Sequence, residues 1–391
     1  MKSIKVVVLN DNMGPYHFYR LKCANKFLEA TAIQFSEKDH TNFWDNSKFN
    51  KDNVVTLFSD QPITEVPKAE IKKRIYEVLG AINPDVIVLS GWDAIPSLYA
   101  LLWSISENKP TVVISESQEF DFKRNPLKEL AKKQILKCID SAFVGGINQS
   151  RYLQKLGFKE ERIFEGCDIV DNDYFLDKSD EYHDRSSMDL PEKYFMTSCR
   201  FVKKKNLFFL IEAFSKFKEK NNYFKLLLVG DGPLKNKLEK FSKELSLENE
   251  IIFTGYKEYD QIKNIYSNAS CFILPSLTEQ WGLVVNESLA SGIPVIASNR
   301  VGSAPNLIEN NNVGYTFDPF SLDDLVMKME LIVDDLESID FHANSRKVIS
   351  KWGGEKYSKN IFQAANSAID HHQMRGFIYS WFLALFIKLI K

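Results

Sequence analysis

The sequence predicts an α/β protein made of two Rossmann-like units, each built on a parallel sheet. Three observations carry that prediction. Short apolar runs alternate with longer amphipathic segments along nearly the whole chain. The alternation breaks once, at a polar stretch from Leu176 to Glu192 rich in Asp, Ser, Glu and Lys, and then restarts. The chain has 391 residues, more than one hydrophobic core usually serves.

In the first half, strands are expected at Lys5–Leu9, Ala32–Phe35, Val54–Phe58, Asp85–Leu89, Thr111–Ser115, Ser141–Val144 and Arg162–Phe164. Helical patterns fill most gaps, for example Tyr16–Ala30, Glu70–Leu79, Ile95–Ile105 and Leu127–Ile139. In the last of these, Leu127, Leu130, Ala131 and Ile135 read as the buried stripe. In the second half, strands are expected at Tyr194–Thr197, Lys225–Val229, Glu250–Phe253, Cys271–Leu274, Pro294–Ala297 and Gly314–Phe317. The organisation read from this is a first domain over 1–175, a linker over 176–192, a second domain over 193–360 and a closing helical segment over 361–391. Sheets of this kind bind ligands at the carboxyl ends of their strands, so a cleft between the domains is the expected site.

Composition narrows the function. A formal net charge of −2 argues against a protein that holds nucleic acid by bulk charge. The five cysteines (Cys23, Cys138, Cys167, Cys199, Cys271) show no paired spacing, which argues against a zinc site and for a reducing compartment. Met-Lys-Ser-Ile-Lys leads straight into an apolar strand, unlike a secretory signal peptide, so a cytoplasmic setting is expected.

The most informative segment runs from Ser276 to Ser298. Glu279 and Glu287 flank a glycine turn at Gly282, between one apolar strand and a helical pattern closed by Gly292. Strand, glycine loop and helix start together form an anion site, because free N–H groups and the helix dipole point at the ligand. Two carboxylates beside it suit a ligand that carries hydroxyls as well as phosphate, as a nucleotide sugar does. The plainer reading is an ordinary βαβ unit.

Glu279, Glu287 and the following Ser-Leu-Ala-Ser-Gly-Ile-Pro-Val resemble the signature of family-4 retaining glycosyltransferases (glycosyl transferases group 1) of GT-B architecture. In that architecture the parallel sheets of two Rossmann-like domains face a central cleft. The resemblance implies a role for each matching residue. Arg200 and Lys205, in Ser198-Cys-Arg-Phe-Val-Lys-Lys-Lys-Asn-Leu207, would stabilise the diphosphate leaving group. Cys199 and Asn206 stand where the family pattern has glycine, and Lys203 and Lys204 read as solvated. Glu287 would take the ribose hydroxyls, and Glu279 would lie near the transferred sugar. Amides around Trp281, Gly282 and Leu283 would meet the sugar or diphosphate, with packing the other reading for Trp281. Gly230, in Val-Gly-Asp-Gly-Pro, would line the nucleotide side, and Thr254 with Tyr256 would sit near the base. Gly-x-Gly there lacks the third glycine of a dinucleotide fingerprint, since Lys235 takes its place.

In the first domain, the resemblance places Gly14 in a loop closing over the sugar phosphate. His17 faces either the ligand or the helix start as a cap, and Arg20 is a phosphate candidate. Many relatives carry a histidine after the fifth strand. This chain has Ile114-Ser-Glu-Ser-Gln-Glu-Phe-Asp121 instead, which leaves Glu116 and Asp121 as the polar candidates. Asp171-Asn-Asp173 reads as structural or as lining the cleft, and neither a metal nor another cofactor is expected.

The function this implies is transfer of a hexose-type sugar from a nucleoside-diphosphate donor to a hydroxyl. The acceptor would be a saccharide or a lipid-linked molecule in cell-surface polysaccharide or glycolipid synthesis. The alternatives are a sugar-nucleotide epimerase or hydrolase of the same fold, and a non-catalytic sugar-nucleotide-binding protein. Two features add a peripheral membrane reading. Phe377–Ile387 is apolar and aromatic with Lys388 and Lys391 after it, and Lys123, Arg124, Lys128, Lys132, Lys133 and Lys137 crowd one segment. The tail is either a packing helix or an interfacial one. The basic segment is either a solvated face or a surface for anionic lipid.

Overall fold

The computed structural model describes residues 3–38, 51–176 and 190–389; most of the predicted linker, 177–189, lies outside the described residues. The chain divides into two compact units, Met1–Val170 with Gly353–Lys391, and Asp171–Trp352. The first begins with β1 (Lys5–Asn10), α1 (Pro15–Ala24), β2 (Glu29–Ser36), β3 (Val54–Phe58), α2 (Lys68–Ile82), β4 (Val86–Ser90), α3 (Ile95–Ser106), β5 (Thr111–Ser115), α4 (Pro126–Leu136), β6 (Ser141–Val144), α5 (Ile147–Lys155) and β7 (Ile163–Glu165). The second holds α6 (Asn172–Leu176), β8 (Tyr194–Ser198), α7 (Leu207–Lys218), β9 (Lys225–Val229), α8 (Lys235–Glu244), β10 (Ile251–Gly255), α9 (Tyr259–Ser267), β11 (Cys271–Leu274), α10 (Leu283–Ala290), β12 (Val295–Ser298), α11 (Ala304–Leu307), β13 (Gly314–Phe317), α12 (Leu322–Asp335) and α13 (Phe341–Ile349). The chain then returns to the first unit with α14 (Gly354–Asp370) and α15 (Phe377–Leu389).

Both sheets are parallel. Their orders are β3-β2-β1-β4-β5-β6-β7 and β10-β9-β8-β11-β12-β13. The apolar runs explain this, since Val6–Leu9, Val86–Leu89 and Leu226–Val229 are buried along their length, as strands covered on both faces must be. In each sheet the chain reverses its direction of growth once, between β1 and β4 and between β8 and β11. Loops leaving the carboxyl ends of these strand pairs flank the crevice where such sheets hold ligands.

Three expectations are corrected. The helix expected over Tyr16–Ala30 stops at Ala24. Asn25 ends it by donating to Leu21 O and Ala30 O and accepting from Ala30 N–H, so the apolar run that follows becomes β2. In α4, Leu127 and Leu130 are 77% and 54% exposed, and only Ile135 and Leu136 are buried. The unit boundaries also differ, with 171–175 in the second unit and 353–360 in the first. The reason for the latter is that α14 is one continuous helix held by the first unit. Its Ser358 hydroxyl donates to Cys23 O (2.7 Å), and its Ala364 O accepts from the Ser141 hydroxyl (2.7 Å).

The connection into α15 is pinned on buried Asp140. Its Oδ1 accepts from Arg375 Nη2 (2.6 Å), and its Oδ2 lies 3.1 Å from His372 Nδ1 and accepts from Thr111 N–H (2.8 Å). Beyond this clamp, Leu383 and Ile387 of α15 enter the first unit's core, with Tyr379, Phe382 and Phe386 packed against it. The tail is therefore a packing helix on one face. No described helix is long and apolar enough to cross a membrane.

Candidate active site

In the second unit, the loop after β8 carries Arg200 and Lys205, and the loop after β11 carries Glu279 and Gly282. β8 and β11 are paired neighbours, so both loops leave the same edge of the sheet at the reversal point. They are tied together by Leu277 N–H donating to Lys204 O (2.8 Å). Arg200 is exposed. Lys205 and Glu279 form an ion pair, their side chains only 13% and 14% exposed. Lys204 Nζ lies 3.9 Å from the other oxygen of Glu279, and the Ser276 hydroxyl lies 3.3 Å from the oxygen that meets Lys205. The backbone of Glu279 is fixed as well, bridged to the Arg300–Gly302 segment by bonds of 3.2 and 2.9 Å.

Both departures from the glycine pattern are explained by the backbone. Asn206 sits in the left-handed region (φ 56°, ψ 35°) between a 3-10 turn at Lys203–Lys205 and the start of α7. Asparagine tolerates that conformation better than other side chains, so it replaces glycine with little strain. Cys199 is not among the residues with positive φ and needs no glycine.

Gly230 and Gly232 each lie against a neighbouring backbone. A Cβ on Gly230 would lie 2.1 Å from Cys199 O, and one on Gly232 would lie 2.7 Å from Phe201 N and O. The turn after β9 is thus seated on the Arg200 loop, and Phe201 N–H donates to Asp231 O (2.8 Å). The glycines let two backbones touch, which holds the arginine loop in place. Thr254 spends its hydroxyl on Gly255 O (3.1 Å), while Tyr256 is exposed.

Gly282 caps α10 with φ 90°, and Leu283 opens the helix, whose first amides lack intrahelical partners. Glu287 lies four residues on, on the same face as Leu283, and is buried. Its Oε2 accepts from the Tyr266 hydroxyl at 2.8 Å. Tyr266 escaped the sequence reading because it sits at an apolar-periodic position of α9 and reads as core. The Trp281 side chain takes the packing reading. It is 2% exposed, donates to Asn286 Oδ1 (2.9 Å) and stacks on Trp352 at 5.3 Å.

In the first unit, a cavity opens at the carboxyl ends of β1, β4 and β5. Its polar lining is Asn10, His17, Arg20, Ser90, Glu116 and Tyr357. Gly14 is extended at the start of α1 (φ −119°), and its N–H donates to His17 Nδ1 (3.1 Å). His17 therefore both caps the helix and lines the cavity. Burial and the neighbouring Arg20 charge lower its pKa to about 3, so it stays neutral across the physiological range. Arg20 bonds Asp168 at 2.9 Å. Burial, the largest single influence, opposes its charge, but Asp168 together with Cys167, Glu116 and Tyr357 outweighs it and holds the guanidinium above its ordinary value. Asp168 and Tyr357 were missed because they lie far along the chain from the residues they join. Asp121 closes a turn, as a loop carboxylate would: it is buried and accepts from Gln118 N–H (2.9 Å), and it does not line the cavity. In Asp171-Asn-Asp173, Asn172 is buried and donates to Ile349 O (2.9 Å), as a structural reading expects. Among the described residues no group of His, Cys, Asp or Glu is placed to hold a metal.

Comparison with known proteins bears on this arrangement. Residues 178–348 match the family described as glycosyl transferases group 1. A sulfoquinovosyl transferase of Arabidopsis thaliana is 31% identical over 160 residues, 40% of this chain and 29% of that protein. Alpha-monoglucosyldiacylglycerol synthase of Streptococcus pneumoniae is 36% identical over 106 residues, 27% of this chain and 24% of that protein. The likeness of this chain to the group 1 glycosyltransferases spans residues 178–348. The chain spans less than a third of the length of either of these relatives in the matched stretches. The chain also shares its fold with Anabaena HepE in complex with UDP and glucose, with a TM-score of 0.74 over 93% of this chain and 100% of that one. At 16% identity that likeness is one of fold, and the fold is of the GT-B kind.

Proposed function

We propose that the protein is a retaining glycosyltransferase that moves a sugar from a nucleoside-diphosphate donor to a hydroxyl of a saccharide or lipid-linked acceptor. The observation that carries this reading is the cluster at the carboxyl ends of β8 and β11. There an exposed arginine, a fixed lysine–glutamate pair and the open start of α10 lie on two tied loops. Cleaving the bond between the anomeric carbon and the diphosphate builds negative charge on the leaving oxygens. Arg200, Lys205 and the amides of Gly282 and Leu283 would take that charge, preorganised by their loops. Glu287 would hold the ribose hydroxyls with its carboxylate oriented by Tyr266, and Glu279 would both hold Lys205 and meet the sugar. The acceptor hydroxyl would form the new bond on the face the leaving group departs from. A phosphate oxygen of that group would take the proton, so no protein base is required.

The cavity of the first unit would take acceptor or sugar hydroxyls, with Glu116 and neutral His17 as hydrogen-bonding groups. No dedicated metal or other cofactor enters this scheme. Work on the cytoplasmic side of a membrane, in polysaccharide or glycolipid synthesis, fits it best; names of relatives such as the monoglucosyldiacylglycerol synthase support the glycolipid arm. The test is calorimetry against a panel of nucleotide sugars, followed by product analysis with and without acceptor. Acceptor-dependent transfer with the donor's anomeric configuration kept is expected. Free sugar released without acceptor, or an altered sugar, would instead make the protein a hydrolase or epimerase.

A further inference from the structure

We propose that α15 is a membrane-docking helix whose solvent face lies in the interfacial zone of an anionic bilayer while its other face stays in the first unit's core. The helix has no polar face. Leu383 and Ile387 are buried, and on the opposite side Phe377, Ile378, Trp381, Leu385 and Leu389 are 80, 78, 60, 42 and 72% exposed. Positions 378, 381, 385 and 389 recur at helical spacing, so they form one continuous apolar stripe. Isolated exposed apolar residues need no explanation, but a contiguous stripe containing tryptophan does. Thirteen residues of helix are about 20 Å long, too short for a bilayer's hydrocarbon core of about 30 Å, so the helix would lie in the interface.

The surroundings of the stripe choose its occupant. Lys388 is exposed on the last turn, and Lys68 reaches the same end, its Nζ donating to Ile387 O at 3.0 Å. At the other end, Arg375 Nε donates to the carbonyl of exposed Lys137 at 3.4 Å, which joins the start of α15 to the end of basic α4. Cations at both ends of an apolar, aromatic stripe complement anionic headgroups around acyl chains. They oppose a second copy of the chain, because a two-fold contact along the stripe would bring cationic ends together in either direction. The proposal adds a surface to the lipid-linked reading above but does not depend on any transfer chemistry.

The test is vesicle sedimentation of the full chain with phosphatidylcholine alone and with added phosphatidylglycerol, at low and high salt. The parent protein should bind the anionic vesicles, about ten-fold or more tighter than neutral ones at low salt, with the difference shrinking as salt rises. Ile378→Glu/Trp381→Glu changes only exposed positions. It should lower vesicle binding at least about ten-fold with an unchanged thermal midpoint and unchanged nucleoside-diphosphate affinity. If that variant misfolds, Trp381→Ser and, separately, Lys137→Glu/Lys388→Glu should each reduce binding. The idea is overturned if the parent ignores anionic vesicles or if folded variants bind them as well as the parent. A stripe variant that converts a dimer to a monomer while the parent leaves vesicles untouched would overturn it in favour of self-association. Loss of vesicle binding with nucleotide affinity kept separates this result from failure of the transferase reading.

Discussion

Lys205 and Glu279 offer a sharp test, because substituting each partner should move nucleotide binding in opposite directions. The pair is about six-sevenths buried, so its attraction is only partly screened. At an effective dielectric near 20, unit charges about 4 Å apart attract by roughly 4 kcal/mol, most of it offset by lost hydration. A diphosphate arriving at Lys205 must compete with the carboxylate already there. Lys205→Met removes a cation from the proposed leaving-group site and should weaken nucleoside-diphosphate binding. It should also cut kcat/KM by about 100–1,000-fold, or roughly 2.7–4 kcal/mol, the usual cost of losing one preorganised charge-stabilising group. Glu279→Gln keeps the lysine and removes its competitor, so affinity for the bare diphosphate should stay level or rise. Transfer should nevertheless fall, because Lys205 is less firmly placed and the sugar loses a contact. Titration calorimetry with a bare nucleoside diphosphate and steady-state rates would measure both. Equal loss of diphosphate affinity in the two folded variants would refute the reasoning and leave the pair as a structural tie between loops.

Three further outcomes follow from named contacts. Gly230→Ala should lower stability by on the order of 3 kcal/mol, seen as a lowered thermal midpoint, because φ is 127° and the new Cβ would meet Cys199 O. Tyr266→Phe removes a buried hydrogen bond to a carboxylate and should cost about 1–3 kcal/mol, read in the thermal midpoint and in nucleotide affinity. His17 binds its proton more weakly folded than unfolded, so the unfolded chain takes up the extra proton as pH falls from about 6.5 towards 3, and stability falls across that window. Denaturant titrations at several pH values should show part of this slope missing in His17→Gln.

The fold was legible because parallel strands buried on both faces must be apolar runs, and both sheets are written that way. Legibility failed where local pattern and tertiary contact part company. Leu28–Ala32 continues an apolar pattern, yet Asn25 stops α1 with side-chain bonds that no periodicity displays. In α4 the Leu127–Leu130 pattern suggested a buried stripe, but the helix buries only Ile135 and Leu136. Pairings such as Lys205 with Glu279 and Arg20 with Asp168 join residues far apart in sequence, so only the fold reveals them. Trp281 and Asp121 each admitted two readings in sequence, and only the fold shows the first side chain packed and the second closing a turn.

What the sequence did expose was position along the strands, and in these sheets position carries most of the information. Each sheet reverses its growth once, and the candidate groups leave the strands at that reversal: Asn10 and Ser90 from β1 and β4, Arg200 and Glu279 after β8 and β11. Backbone geometry then decides which side chains a motif position accepts. Asn206 is tolerated because it must adopt a left-handed conformation, and Cys199 because it need not. Gly230 and Gly232 keep their identity because a neighbouring backbone occupies the space a Cβ would need. The two departures from the glycine pattern therefore leave the arginine loop seated on the turn after β9. A loss of transfer activity in this chain could not be traced to Cys199 or Asn206 unless replacing them with glycine restored it.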